Sequence, residues 1–73
     1  MYRYELRAYN AGGTYSIVRA YRQFPESLDV QRDVAIYLAA CGDDATKNEG
    51  GGKWKVMIGE TWFDVFFEVV EVN

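Results

Sequence analysis

Histidine is absent from the 73 residues, which removes the side chain most used as a metal ligand and as a general base near neutral pH. A single cysteine, Cys41, cannot close an internal disulfide, so the fold does not depend on an oxidising compartment and the cytoplasm is the expected location. No basic-then-apolar leader follows Met1, and no apolar run reaches about 18 residues. Both observations argue against secretion and membrane insertion. Positive charge is also short. Eight Lys and Arg against eleven Asp and Glu leave a net charge of -3 and a pI near 4.7, which gives no bulk attraction for nucleic acid but leaves room for a local basic patch. Proline occurs once, at Pro25, where it ends a strand because it cannot donate to a ladder.

Aromatic residues, in contrast, are abundant. Six Tyr, four Phe and two Trp in a chain that is 49% hydrophobic exclude disorder and exceed what one layer of core can hold. Some must lie outside it. The length allows one domain over residues 1–73, burying roughly 60% of its unfolded surface, so modest stability is expected.

The segment Lys53 to Val72 reads as a β-hairpin. Gly59-Glu60 forms a type II′ turn, whose first central position needs a positive φ. Counting outward pairs Ile58 with Thr61, Val56 with Phe63 and Trp54 with Val65 on one face. Met57 with Trp62 and Lys55 with Asp64 share the other. Tyr2 to Tyr9 alternates with period two, and a three-residue loop, Ala11 to Gly13, turns it back into Thr14 to Gln23. This register sets Leu6 against Val18, Tyr4 against Ala20 and Ala8 against Ser16 inside, with Glu5 against Arg19 and Tyr9 against Tyr15 outside. A helix is expected from Ser27 or Leu28 to Cys41, with Ser27 as N-cap and Gly42 just past its end. Its apolar stripe is Val30, Val34, Tyr37, Leu38 and Cys41, while Asp29, Arg32 and Asp33 face solvent. Residues 43–52, DDATKNEGGG, lose periodicity and read as a flexible acidic, glycine-rich loop.

The expected fold is therefore α+β: a ββαββ domain with a four-stranded antiparallel sheet and one helix packed on one face. Its core is Tyr4, Leu6, Val18, Val34, Leu38, Trp54, Val56, Phe63, Val65 and Phe67. Catalytic and cofactor chemistry finds little support. Cys41 closes an apolar stripe and reads as a packed core thiol. Asp43-Asp44 lacks the remaining ligands of a calcium loop. Gly50-Gly51-Gly52-Lys53 leads into a strand, so no helix N-terminus backs it as in a phosphate loop. No enzyme activity, cofactor or metal is expected.

The sheet face away from the helix carries the strongest functional signal. It is expected to present Arg3, Arg7, Tyr9, Tyr15, Arg19, Tyr21, Lys55, Trp62 and Phe66, aromatics interleaved with cations as a protein partner or stacked bases would require. Five of the eight cations (Arg3, Arg7, Arg19, Lys53, Lys55) fall there with three of the eleven acids, leaving that face near +2. A second candidate surface is acidic, formed by Asp29, Asp33, Asp43, Asp44 and Glu49 with Glu26, and could enter a nucleic-acid-binding cleft on a partner. In size, acidity and lack of catalytic groups the chain resembles, in general type, the small proteins that phages and mobile elements make to block host machinery, anti-CRISPR proteins among them. That resemblance implies a non-catalytic inhibitor or adaptor that docks on another protein, a nucleic-acid-handling host complex being one candidate. The alternatives are a structural homodimer and a binder of single-stranded nucleic acid.

Overall fold

The alternating strands and the single helical stripe assemble into two layers in the computed structural model, which describes residues 1–41 and 45–72. Strands β1 (Tyr4–Asn10) and β2 (Tyr15–Tyr21) are followed by helix α1 (Ser27–Ala40). Strands β3 (Ala45–Gly50), β4 (Lys53–Ile58) and β5 (Thr61–Glu71) complete the chain. All five strands form one antiparallel sheet in the order β2-β1-β5-β4-β3, with the helix on one face.

The β4–β5 hairpin has the register that its alternation specifies, from Ile58↔Thr61 to Trp54↔Val65. Gly59 has φ 64°, and among the described residues none other than glycine has a positive φ, so Glu60 keeps an ordinary φ and the turn is of the II′ kind. The β1–β2 turn also follows the sequence. Gly13 takes φ 86°, and Asn10 closes the loop by accepting the Gly12 and Thr14 amides at its Oδ1.

The fifth strand corrects the ββαββ expectation and the reading of 43–52 as a flexible loop. Ala45–Gly50 pairs with β4, Lys47 lying opposite Lys55 and Asn48 opposite Trp54. Its sequence, ATKNEG, is polar on both sides and almost wholly exposed, so no apolar period announces it. Main-chain pairing and the turn hold it. Gly50, Gly51 and Gly52 all have positive φ, between 62° and 84°, which reverses the chain within two residues. Asp43 and Asp44 lie outside the described residues.

A second correction concerns β2. Its register shifts between Leu6 and Arg7, where Val18 is the extra residue of a β-bulge. Near the turn the expected pairs hold, Ala8↔Ser16 and Tyr9↔Tyr15. Beyond the bulge the partners become Leu6↔Arg19, Glu5↔Ala20 and Tyr4↔Tyr21. Because side chains alternate, one inserted residue turns Arg19 and Tyr21 to the helix side and Ala20 outward.

That turn explains a third departure. Asp33, expected on the solvent face, is only 3% exposed. On the helix it lies one residue from Val34 and four before Tyr37, at the flank of the apolar stripe that faces β2. Tyr21 fills that flank and donates its hydroxyl proton to Asp33 Oδ2 at 2.6 Å, while Arg32 Nε stands 3.5 Å from Oδ1. Burial, then the bond to Asp33, pushes the Tyr21 phenol above its ordinary pKa of 10.0. Below that value the proton stays on in folded and unfolded chains alike, and the contribution to stability is complete. As pH rises past it the unfolded chain ionises first, so stability falls. Tyr21→Phe is expected to cost about 1–3 kcal/mol at neutral pH, because the buried carboxylate loses its best donor. It should also flatten the decline in thermal stability above roughly pH 10, measured against the wild-type chain.

The core is Leu6, Ala8, Val34, Leu38, Val56 and Phe67, with Val18, Tyr21, Val30, Tyr37, Trp54, Val65 and Val69 packed around it. Tyr37 meets Phe67 edge-on at 5.8 Å, and Tyr4 meets Phe24 in the same way at 5.4 Å on the margin. Phe63, expected inside, is 49% exposed. It points to the helix side but lies two residues beyond Val65, where β1 has already ended at Asn10. Cys41 is likewise exposed, because the helix stops at Ala40 and the thiol lies past the last packed turn. The helix begins after Glu26 without a side-chain cap; Ser27 is already helical and accepts a bond from Gln31. No helix among the described residues is long and apolar enough to cross a membrane.

Candidate interaction surface

Among the described residues, no element covers the face opposite the helix. Strand alternation places Arg7, Tyr9, Tyr15, Lys55, Trp62 and Phe66 there, as expected from sequence, and Arg3 by extension from Tyr4. Arg19 and Tyr21 are not part of it. Arg19 lies beside Asp33, Ile36 and Ala40 on the helix side, and Tyr21 is engaged with Asp33. Strand β3 adds a residue that no sequence signal had indicated: Lys47, level with Lys55.

At the centre of the face Tyr9 packs between two rings, Tyr15 at 5.3 Å and Phe66 at 6.2 Å. The Arg7 guanidinium stacks 4.3 Å over the Tyr15 ring. It also donates to Glu5 Oε1 at 3.0 Å and to the Tyr9 hydroxyl at 3.4 Å. These contacts, Tyr9 first, raise the Arg7 pKa and fix the planar group as part of the surface. Tyr15 is 48% exposed and the neighbouring Ile17 54%. The cluster is therefore ordered yet available.

Trp62 is 45% exposed but stands apart from this cluster, paired with Met57 beyond Asp64. Between the two groups Lys55 donates to Asp64 Oδ1 at 2.8 Å, and that bond raises the Lys55 pKa. Lys55 opposite Lys47 makes this corner the most basic part of the face, next to Lys53 on the same strand.

Of the second candidate surface, the described members Asp29, Asp33 and Glu49 do not gather in one place. Asp29 forms an i,i+3 pair with Arg32 on the helix at 3.5 Å, Asp33 is buried, and Glu49 lies across the molecule near Lys53 and Lys55. Asp43 and Asp44 are outside the described residues. Among those residues, no three acidic, cysteine or histidine side chains gather as a metal-ligand set.

Compared with protein-family models, curated proteins and solved structures, the chain matches none. Its functional reading rests on this surface.

Proposed function

We propose that the chain is a non-catalytic interaction module that docks on another protein through the outer face of its sheet, acting as an inhibitor or adaptor of a host machine. The observation that carries this reading is the ordered Tyr9, Tyr15, Phe66 and Arg7 cluster on a face that no other element covers among the described residues. Tyr and Arg held in place lose little entropy on association and supply most of the energy of protein interfaces. Isolated apolar side chains on a surface are ordinary, but a packed group flanked by Ile17 is not.

The charge pattern supports a protein partner over single-stranded nucleic acid. Arg7 and Lys55 already have carboxylates at 3.0 and 2.8 Å, so a phosphate would have to compete for them. Aromatic stacking remains open to either partner. Tyr15→Ala is expected to weaken partner binding by at least about 2 kcal/mol, roughly thirtyfold in Kd, with little change in folding stability. Calorimetric titration against the native partner measures the effect, and repeating it at raised salt separates the partners. A steep salt dependence would favour nucleic acid. A wild-type chain that sediments as a dimer and becomes monomeric on the same substitution would instead assign the face to self-association.

A further inference from the structure

Outward side chains of the sheet stand in rows across the strands, and two adjacent rows define its basic corner. The first runs Tyr15, Tyr9, Phe66, Lys53, from β2 through β1 and β5 to β4. It ends there, because β3 meets Lys53 with Gly50, which has no side chain. The second row runs Asp64, Lys55, Lys47, from β5 through β4 to β3. It lies two residues along from the first, a separation of about 7 Å. A concavity of about 390 Å³ opens between the rows, with Tyr9, Phe66 and Lys53 on one side and Lys55 and Asp64 on the other.

This corner is one anion short. It holds three cations, Lys47, Lys53 and Lys55, and two carboxylates, Asp64 and Glu49. Asp64 is bonded to Lys55 at 2.8 Å, and Glu49 acts on Lys55 through space. Lys47 and Lys53 have no ion pair among the described residues. Lys47 also stands directly opposite Lys55, where two like charges destabilise a sheet. The free chain therefore carries a cost that an arriving carboxylate removes. The adjoining row of rings offers apolar area to whatever brings it. A continuous basic track is absent, because Glu68 lies opposite Arg7 and Asp64 next to Lys55. A discrete acidic side chain fits such a face better than a string of phosphates. A second copy of this chain brings the same surplus of cations and answers neither lysine.

We propose that the partner lays an apolar segment along Tyr15, Tyr9 and Phe66 and places an acidic residue at the end of that row, between Lys53 and Lys47. The inference rests on the reading that the outer face docks on a protein, and names the chemistry of the segment it takes. Neighbouring strands are about 4.8 Å apart, so the carboxylate follows the last apolar contact, at Phe66, by about that distance. The rings supply contact area. The two lysines select an acid over a neutral amide, because only the acid relieves the repulsion already present.

The probe is a capped peptide of three leucines followed by two glutamates, compared with the same peptide ending in two glutamines. Each is titrated at low salt into the labelled chain and followed through the amides of Phe66 and Lys53. The glutamate peptide should bind at least about tenfold more tightly, and combining Lys47→Gln with Lys53→Gln should erase that preference. Lys47→Gln alone should raise the melting temperature of the free chain by a few degrees while weakening the glutamate peptide. A merely structural lysine would lower the melting temperature when replaced. Absence of binding, equal affinity for the two peptides, a preference that survives in the double variant, or a lower melting temperature for Lys47→Gln overturns the proposal. Tighter binding of a thymidine oligonucleotide than of the glutamate peptide overturns it in favour of nucleic acid. A wild-type chain that sediments as a dimer and dissociates in the double variant overturns it in favour of self-association. If Tyr15→Ala loses the native partner and the double lysine variant does not, the acidic segment alone is ruled out and the sheet face stands.

Discussion

Phe67→Ala is expected to destabilise the fold by about 3–5 kcal/mol, the range for deleting a buried large aromatic. Phe67 is 6% exposed and sits where β1, β5 and the helix meet, in the cluster with Leu6, Ala8, Val34, Leu38 and Val56. Its ring also supplies the edge-on contact to Tyr37. Removing it takes apolar area out of a core that has little to spare and leaves a cavity that a sheet on one side and a helix on the other cannot both close. Domains of this size hold about 5–15 kcal/mol at most, so a substantial unfolded fraction is expected at room temperature. Phe67→Leu keeps most of the volume and should cost less than about 1.5 kcal/mol. Urea titration checks both: the midpoint should drop far for Ala and slightly for Leu, with the slope unchanged. Similar midpoints for the two would mean that the ring is not packed as described.

Gly52→Ala is expected to cost roughly 2–5 kcal/mol, while the same change at Gly51 costs only about 1–2 kcal/mol. Both residues have positive φ, 84° and 62°, which an alanine adopts at a penalty. They differ in their surroundings. A Cβ at Gly51 meets nothing within 4 Å, whereas one at Gly52 would lie 2.5 Å from the Phe67 carbonyl oxygen and 3.4 Å from the Phe66 ring. The carbonyl cannot move away alone, because the Phe67 amide is bonded to Gly52 O. The clash would be relieved by prying β4 from β5 at the point where the core and the outer aromatic cluster share a strand. Comparing the two variants by thermal melting isolates the contact from the φ penalty. Equal losses would show that backbone conformation alone accounts for the need for glycine.

Much of this architecture was legible from residue order because local chemistry determined it. Gly59 and the alternating flanks specify the β4–β5 register, down to the Lys55–Asp64 pair. The apolar stripe through Val30, Val34 and Leu38 specifies the helix and its buried side. Trp62, Tyr9, Tyr15 and Phe66 on the outer face follow from those registers, since a strand residue has only two directions to point.

Only tertiary structure decided the rest. Strand β3 is polar on both sides and is held by main-chain bonds to β4, an interaction that leaves no pattern in side-chain type. The bulge at Val18 is one inserted residue in a stretch, Tyr15 to Val18, that is apolar on both faces, so either register satisfies local hydrophobicity. It is consistent with the partners that the helix brings: turned inward, Tyr21 reaches Asp33. That single event removed Arg19 and Tyr21 from the outer face and gave a partner to Asp33, a buried carboxylate that the helical pattern alone places on the solvent face. The exposure of Phe63 depends on where β1 stops relative to β5, a difference in strand length across the sheet. Sequence determines what each strand is. How far its neighbours accompany it is settled only when the sheet is assembled.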